Sequence, residues 1–306
     1  MKQEYEIQSK ADGLNISVLE MRPEKTPKAV IQLVHGMSEH KERYIPFMEY
    51  LLENGFASVI HDHRGHGKSV KSKEDLGYMY GGGADALLED IHGINQRIHE
   101  QYPNIPVVLF GHSMGSLAVR AYAAVHDQDM DCLIVCGSPS KNPARPIGAA
   151  LAHIEKKIRG EKHRSRMIEK MSQGSYMKNF KDEKDKNGWI CSDPEVVRAY
   201  TASDYCGFTF TDEAYLVLFE LMKRAYSVRS WKCTAKELPI LFISGAKDPC
   251  MGNVRGFAHA VQNMRKIGYL NVRGKLYPDM RHEILNEIGK EIVFQDVCTY
   301  INKCLK

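Results

Sequence analysis

The stretch that constrains this chain most is Gly111-His112-Ser113-Met114-Gly115. Residues 106–110, Pro-Val-Val-Leu-Phe, run up to it and predict a short buried strand. Residues 116–125 follow, rich in Ala and Leu with no breaker, and predict a helix. A G-x-S-x-G at a strand-to-helix turn allows few backbones. The turn is too tight for side chains on its flanks, and the central serine is held in an unfavourable conformation. Its hydroxyl then stands above the edge of a sheet. The Met114 amide opens a helix, where N–H groups point outward and the dipole favours an anion. The flanking strand and helix separate this pattern from an ordinary Gly/Ser turn.

The rest of the chain supplies a sheet for that strand. Residues 4–9 and 15–22 read as two strands joined by a hairpin turn at Asp12-Gly13. Further strands are expected at 29–34, 56–60, 132–136, 240–243 and 275–277, with helices at 43–53, 84–101, 254–266 and 287–304. Strands alternating with helices of this length mean an α/β fold, a mostly parallel sheet covered on both faces. The alternation fails between about residues 140 and 235, a stretch rich in Lys, Arg, Met, Tyr and Gly with no buried-strand pattern. It falls between two strands of the sheet. The expected organisation is therefore a core of residues 1–139 and 236–306 with a helical cap, 140–235, inserted between the halves. A chain of 306 residues, 43% hydrophobic, is long enough to bury such a core.

Charge and cysteines narrow the partners. A net charge of +4 is too mild to suggest nucleic acid. Residues 1–6 are polar and lack the apolar centre of a signal peptide, and no run approaches the length of a membrane span. The eight cysteines are scattered, with no C-x-x-C. A reducing, cytoplasmic setting is expected.

A serine hydroxyl becomes a useful nucleophile when a base takes its proton and a carboxylate orients the base. Asp248 follows strand 240–243, and His282 follows strand 275–277. Both loops lie on the edge of the sheet that carries Ser113, where open α/β sheets place their sites, and the order Ser, Asp, His fits the motif. Asp279 is the rival acid, but it is only three residues from His282 on the same loop. Met37, after His35-Gly36, is the candidate for a second amide beside that of Met114 to stabilise an oxyanion. His61-Asp62-His63-Arg64-Gly65-His66 looks at first like a set of metal ligands, yet no second His/Asp set is spaced to complete it. These side chains are expected to hydrogen-bond the loops beneath the site instead. No metal and no cofactor is expected.

Taken together, Val34-His35-Gly36-Met37-Ser38-Glu39-His40, Arg43-Tyr44, His61 to Ser69, Gly111 to Ser116, Gly245 to Asp248 and His282-Glu283 resemble the monoacylglycerol lipase and lysophospholipase group of α/β-hydrolases. The resemblance spans about two-thirds of the chain. It implies the α/β-hydrolase fold, Ser113 as nucleophile, Asp248 and His282 as its partners, and the Met37 and Met114 amides as the oxyanion hole. It also implies a cap that forms an acyl-chain channel, and a small ester or single-chain lipid as substrate. It assigns no residue of the cap to the substrate. Small-molecule esterases and aminopeptidases share the superfamily and stand as alternatives. A silent, ligand-binding member is a different class, against which the intact Ser, Asp and His argue. Residues 154–170 carry Lys156, Lys157, Arg159, Lys162, Arg164, Arg166 and Lys170 against Glu155, Glu161 and Glu169, beside Leu151, Ile154 and Ile158 at helical spacing. The plain expectation is a solvated face with its apolar side packed on the core. The sharper one is a cap that lies against an anionic membrane surface.

Overall fold

The computed structural model describes residues 1–305. Eight strands form one sheet: β1 Lys2–Gln8, β2 Asn15–Met21, β3 Val30–Val34, β4 Ala57–His61, β5 Val107–His112, β6 Cys132–Cys136, β7 Ile240–Gly245 and β8 Val272–Tyr277. Their spatial order is β1-β2-β4-β3-β5-β6-β7-β8. The first two pairings are antiparallel and every pairing from β4 to β8 is parallel. In β6, Leu133 and Val135 face one apolar cluster while Cys132, Ile134 and Cys136 face the other. Strand alternation sends successive side chains to opposite faces. Both faces are covered, so the central strands read as unbroken apolar runs.

Helices α1 (Ile45–Glu53) and α9 (Glu291–Cys304) cover one face, with Phe47 and Leu51 packed in one cluster with Phe294 and Val297. Helices α2 (Gly83–Gln101), α3 (Met114–His126) and α8 (Val254–Ile267) cover the other. Two boundaries differ from expectation by three residues or more. The last helix starts at Glu291, not 287, because the Glu287 carboxylate accepts the amides of Arg281 (2.7 Å) and Ser192 (3.0 Å) and holds the chain in a turn. Strand β8 begins three residues early, at Val272. It is an edge strand with Arg273, Gly274 and Lys275 exposed, so no apolar run announced it.

Between β6 and β7 lie α4 (Arg145–Arg159), α5 (Arg166–Gln173), α6 (Pro194–Ala202) and α7 (Asp212–Tyr226). Helix α7 packs on α2 and α3 on one side and on α4 on the other, so it roots this helical stretch in the core. Helix α4 meets α7 through its small residues: a Cβ on Gly148 would stand 3.0 Å from the Phe219 ring, and Ala152 is fully buried. That close approach turns the rest of the apolar stripe outward. Leu151 is half-buried, but Ile147, Ile154 and Ile158 are 67%, 55% and 76% exposed. The expectation that Ile154 and Ile158 pack on the core is thus not met.

Candidate active site

Ser113 sits between β5 and α3 at φ 53° and ψ −118°, a left-handed conformation that a side chain rarely adopts. The flanking glycines allow it. A Cβ on Gly111 would lie 2.4 Å from the Gly115 carbonyl oxygen, and one on Gly115 would lie 2.1 Å from that of Val34. The turn therefore presses the start of α3 against β3. The Ser113 hydroxyl is left half-exposed at the C-terminal edge of the sheet.

The loops after β7 and β8 bring Asp248 and His282 to that hydroxyl. His282 Nε2 lies 2.8 Å from Ser113 Oγ, and His282 Nδ1 lies 3.0 Å from Asp248 Oδ2. Asp248 is buried, and its carboxylate also accepts the Ser244 hydroxyl (3.0 Å) and the Cys250 amide (2.8 Å). Burial disfavours charge on His282, but the facing Asp248 carboxylate outweighs it and raises the imidazole well above its ordinary 6.5. Asp279 is 91% exposed and pairs with Lys247 at 3.0 Å, away from the ring. The Cys250 thiol lies 3.9 Å from His282 Nε2, and burial pushes it up, so it stays a neutral thiol.

Met37 and Met114 line the same cavity, and neither amide is taken up by a backbone or side-chain acceptor among the described residues. Met114 is the first residue of α3, where the amide has no intrahelical partner. Met37 is held by a network that sequence reasoning left without a role. The Glu39 carboxylate accepts the Gly36 amide (2.6 Å) and the Tyr44 hydroxyl (3.0 Å), and lies 3.2 Å from His112 Nδ1. Arg43 donates to Glu39 (2.8 Å) and with both guanidinium nitrogens to Glu283 (2.7 and 2.5 Å). Burial works against charge on Glu39, yet His112, Arg43 and the Gly36 amide hold it well below the usual carboxylate range. One buried clamp thus joins the Met37 loop, the elbow and the loop of His282. The signal was present: Glu39, Arg43 and Glu283 all stand in the segments that carry the resemblance.

The histidine-rich segment runs beneath the site. The His63 amide donates to His35 Nε2 (3.0 Å), and the His63 ring Nε2 lies 3.1 Å from the His35 carbonyl. His66 Nδ1 meets the Arg64 carbonyl at 3.1 Å, and Arg64 binds Asp90 (2.8 Å) and Asp12 (2.9 Å). His61 differs from expectation: both ring nitrogens lack a partner, and the ring packs edge-on to His63 instead.

Above the site the helical stretch closes a cavity of about 710 Å³, walled by Tyr176, Trp189, Phe208, Leu218, Phe219 and Met222. The Trp189 ring stands 5.1 Å from that of His282. Tyr200 donates to the Ser38 carbonyl (3.0 Å), and Ser38 Oγ to that of Phe208 (2.7 Å), so this stretch is tied directly to the Met37 loop.

A family described as serine aminopeptidase, S33, matches residues 25–289. A monoacylglycerol lipase of Mycolicibacterium smegmatis is 25% identical over 279 residues, 91% of this chain and 90% of that one. A monoglyceride lipase of Rattus norvegicus is 33% identical over 150 residues, 47% of this chain and 48% of that one. The solved structure of a thermostable carboxyl esterase from Bacillus coagulans, in complex with glycerol, superposes with a TM-score of 0.89 at 27% identity over 100% of this chain and 99% of that one. The chain therefore belongs to the serine aminopeptidase S33 family of α/β-hydrolases, as a serine hydrolase of the monoacylglycerol lipase type.

Proposed function

We propose that this protein hydrolyses carboxylic esters of single-chain lipids, monoacylglycerols or lysophospholipids, through an acyl-enzyme on Ser113. The observation that carries this reading is the unbroken line from Ser113 Oγ through His282 to the buried Asp248, at 2.8 and 3.0 Å, at the floor of an aromatic-walled cavity. His282 Nε2 takes the proton as Ser113 Oγ attacks the ester carbonyl carbon. The carbonyl oxygen becomes an oxyanion and is held by the Met37 and Met114 amides. Each such donor is worth roughly 3 kcal/mol of barrier, because it is aimed in advance at charge that develops only in the transition state. Asp248 holds the ring with Nε2 toward the serine and stabilises the imidazolium. The tetrahedral species collapses, the C–O bond to the alcohol breaks, and His282 returns the proton to the leaving oxygen. Water then attacks the acyl carbonyl, with His282 taking its proton, and the free acid leaves as Ser113 is restored. No cofactor enters the reaction.

Residues 140–235 act as a cap in this reading. The cavity volume suits a single-chain ester, and the relatives with high coverage are named as a lipase and an esterase. The outward stripe Ile147, Ile154 and Ile158, flanked by Lys157 and Arg159, supports contact of this cap with an anionic lipid surface.

A fluorophosphonate probe is expected to label the protein once, at Ser113. Ser113→Ala abolishes labelling and lowers turnover on the order of 10⁴-fold or more. Labelling that survives the change and maps to another serine overturns the assignment.

A further inference from the structure

The mouth of the cavity carries an unbalanced set of cations. Lys141, from the loop after β6, Arg166 and Lys170 of α5, and Lys186, from the loop before α6, all line it and are all exposed. None of the four side chains has a carboxylate partner among the described residues. Their neighbours do: Lys156 pairs with Glu161 at 3.2 Å and Lys162 with Asp75 at 2.5 Å. The acids that line the same cavity offset them only in part. Glu39 and Glu283 are buried and bound to Arg43. Glu169, the remaining acid of the lining, accepts the Thr209 hydroxyl at 2.9 Å and is one negative charge against the four positive ones.

Arg166 and Lys170 stand one helical turn apart. Like charges at that spacing repel, and the single interleaved acid, Glu169, balances only one of the two. An opening lined by one sign of charge, with low-dielectric walls, concentrates counter-ions and raises their rate of entry. It also repels a free ammonium group such as the amino terminus of a peptide.

We infer that the preferred substrate is a single-chain ester whose polar end carries a phosphate or carboxylate, held at the mouth by Lys141, Arg166, Lys170 and Lys186 while the ester reaches Ser113. This narrows the substrate class and rests on the ester-hydrolase reading of the same site.

The test uses hexanoyl glycerol and hexanoyl glycerol phosphate, both as monomers, so that no lipid surface contributes. Wild-type kcat/KM is expected to favour the phosphate ester by about tenfold at low salt. The preference is expected to shrink as sodium chloride is raised, since exposed charges are screened. In Arg166→Glu/Lys170→Glu the ratio inverts, with the change in KM. A ratio near one in the wild type that ignores salt overturns the inference and leaves the hydrolase reading intact. A second arm does not depend on turnover: calorimetric binding of hexyl phosphate, hexanol and inorganic phosphate to Ser113→Ala. Hexyl phosphate binding more tightly than both others supports a charged head on a single chain. Inorganic phosphate binding equally well means a free-anion site, and equal binding of hexanol means no charge recognition; either result overturns the inference. Failure of every ester, with hexyl phosphate still preferred, sinks the reaction and not the recognition.

Discussion

At the scale of single residues, two neighbouring carboxylates have opposite surroundings. Asp248 is buried against His282 Nδ1, while Asp279, three residues before His282 in sequence, is in solvent on Lys247. Asp248→Asn keeps the shape of the group but favours the wrong imidazole tautomer, so turnover should fall roughly 10³–10⁴-fold. Asp279→Asn should change it little. The reverse ranking, measured on one soluble ester, refutes the role of Asp248. The pH profile follows from the same contact. The working base is neutral imidazole, and Asp248 raises the imidazole above 6.5. The acid limb of kcat/KM is therefore expected above pH 6.5, higher than an unperturbed histidine would give. Without the carboxylate, Asp248→Asn should carry that limb to lower pH along with its lower rate. A limb at or below 6.5 in the wild type contradicts the coupling.

Among the elements, α4 shows how packing reassigns a sequence pattern. Its apolar period predicts one buried stripe, but Gly148 and Ala152 make the contact with α7 and the isoleucines face out. Burying a large aliphatic side chain is worth about 1.5–3 kcal/mol, so leaving three exposed forgoes several kcal/mol unless something covers them. An anionic lipid surface fits, because each basic side chain near it adds about 1 kcal/mol. Sedimentation with anionic vesicles at low salt should pull the protein down. Ile154→Ser/Ile158→Ser should leave it in the supernatant with its hydrolysis of a small soluble ester unchanged. Wild type that stays in the supernatant at low salt rules the contact out.

For the whole molecule, the buried histidines beneath the site make acid the point of weakness. Burial, with His66 the leading charge beside them, depresses His35 well below 6.5 and His61 to about 3; His66 itself is depressed by burial to about 4, and His63 likewise lies well below 6.5. The unfolded chain takes up these protons near pH 6.5 and the folded chain does not. Their contribution is therefore complete above 6.5 and is lost as pH falls toward 3 to 4. Each ring costs about 1.4 kcal/mol per pH unit, or about 2 kcal/mol at pH 5. His40 works the other way but in a higher window: burial opposes its charge, Cys206 and Glu42 win, and it rises to about 9, so its gain is complete by pH 6.5. Urea midpoints should fall steeply between pH 6.5 and pH 5. His61→Leu, which removes a ring with no hydrogen-bond partner, should flatten that fall. An unchanged slope in the variant refutes this account.

Sequence alone determined what is local. The elbow was legible because Gly111 and Gly115 are demanded by backbone contacts within a few residues or by one neighbouring strand. The strands were legible because a sheet covered on both faces leaves continuous apolar runs. Ser113, Asp248 and His282 could be picked out because parallel topology puts the loops after β5, β7 and β8 on one edge. Tertiary structure decided whatever depends on contacts between distant segments. The Arg43–Glu283 pair spans 240 positions, and nothing local distinguishes such charges from solvated ones until the fold buries them together. Trp189 meets His282 in a segment that Arg281 ties down through the Gly188 and Cys191 carbonyls and Glu287 through Ser192. The outward face of α4 and the unpaired cations at the mouth are likewise results of packing. A helical period gives the angles between side chains, and only the neighbouring helix decides which angle is buried.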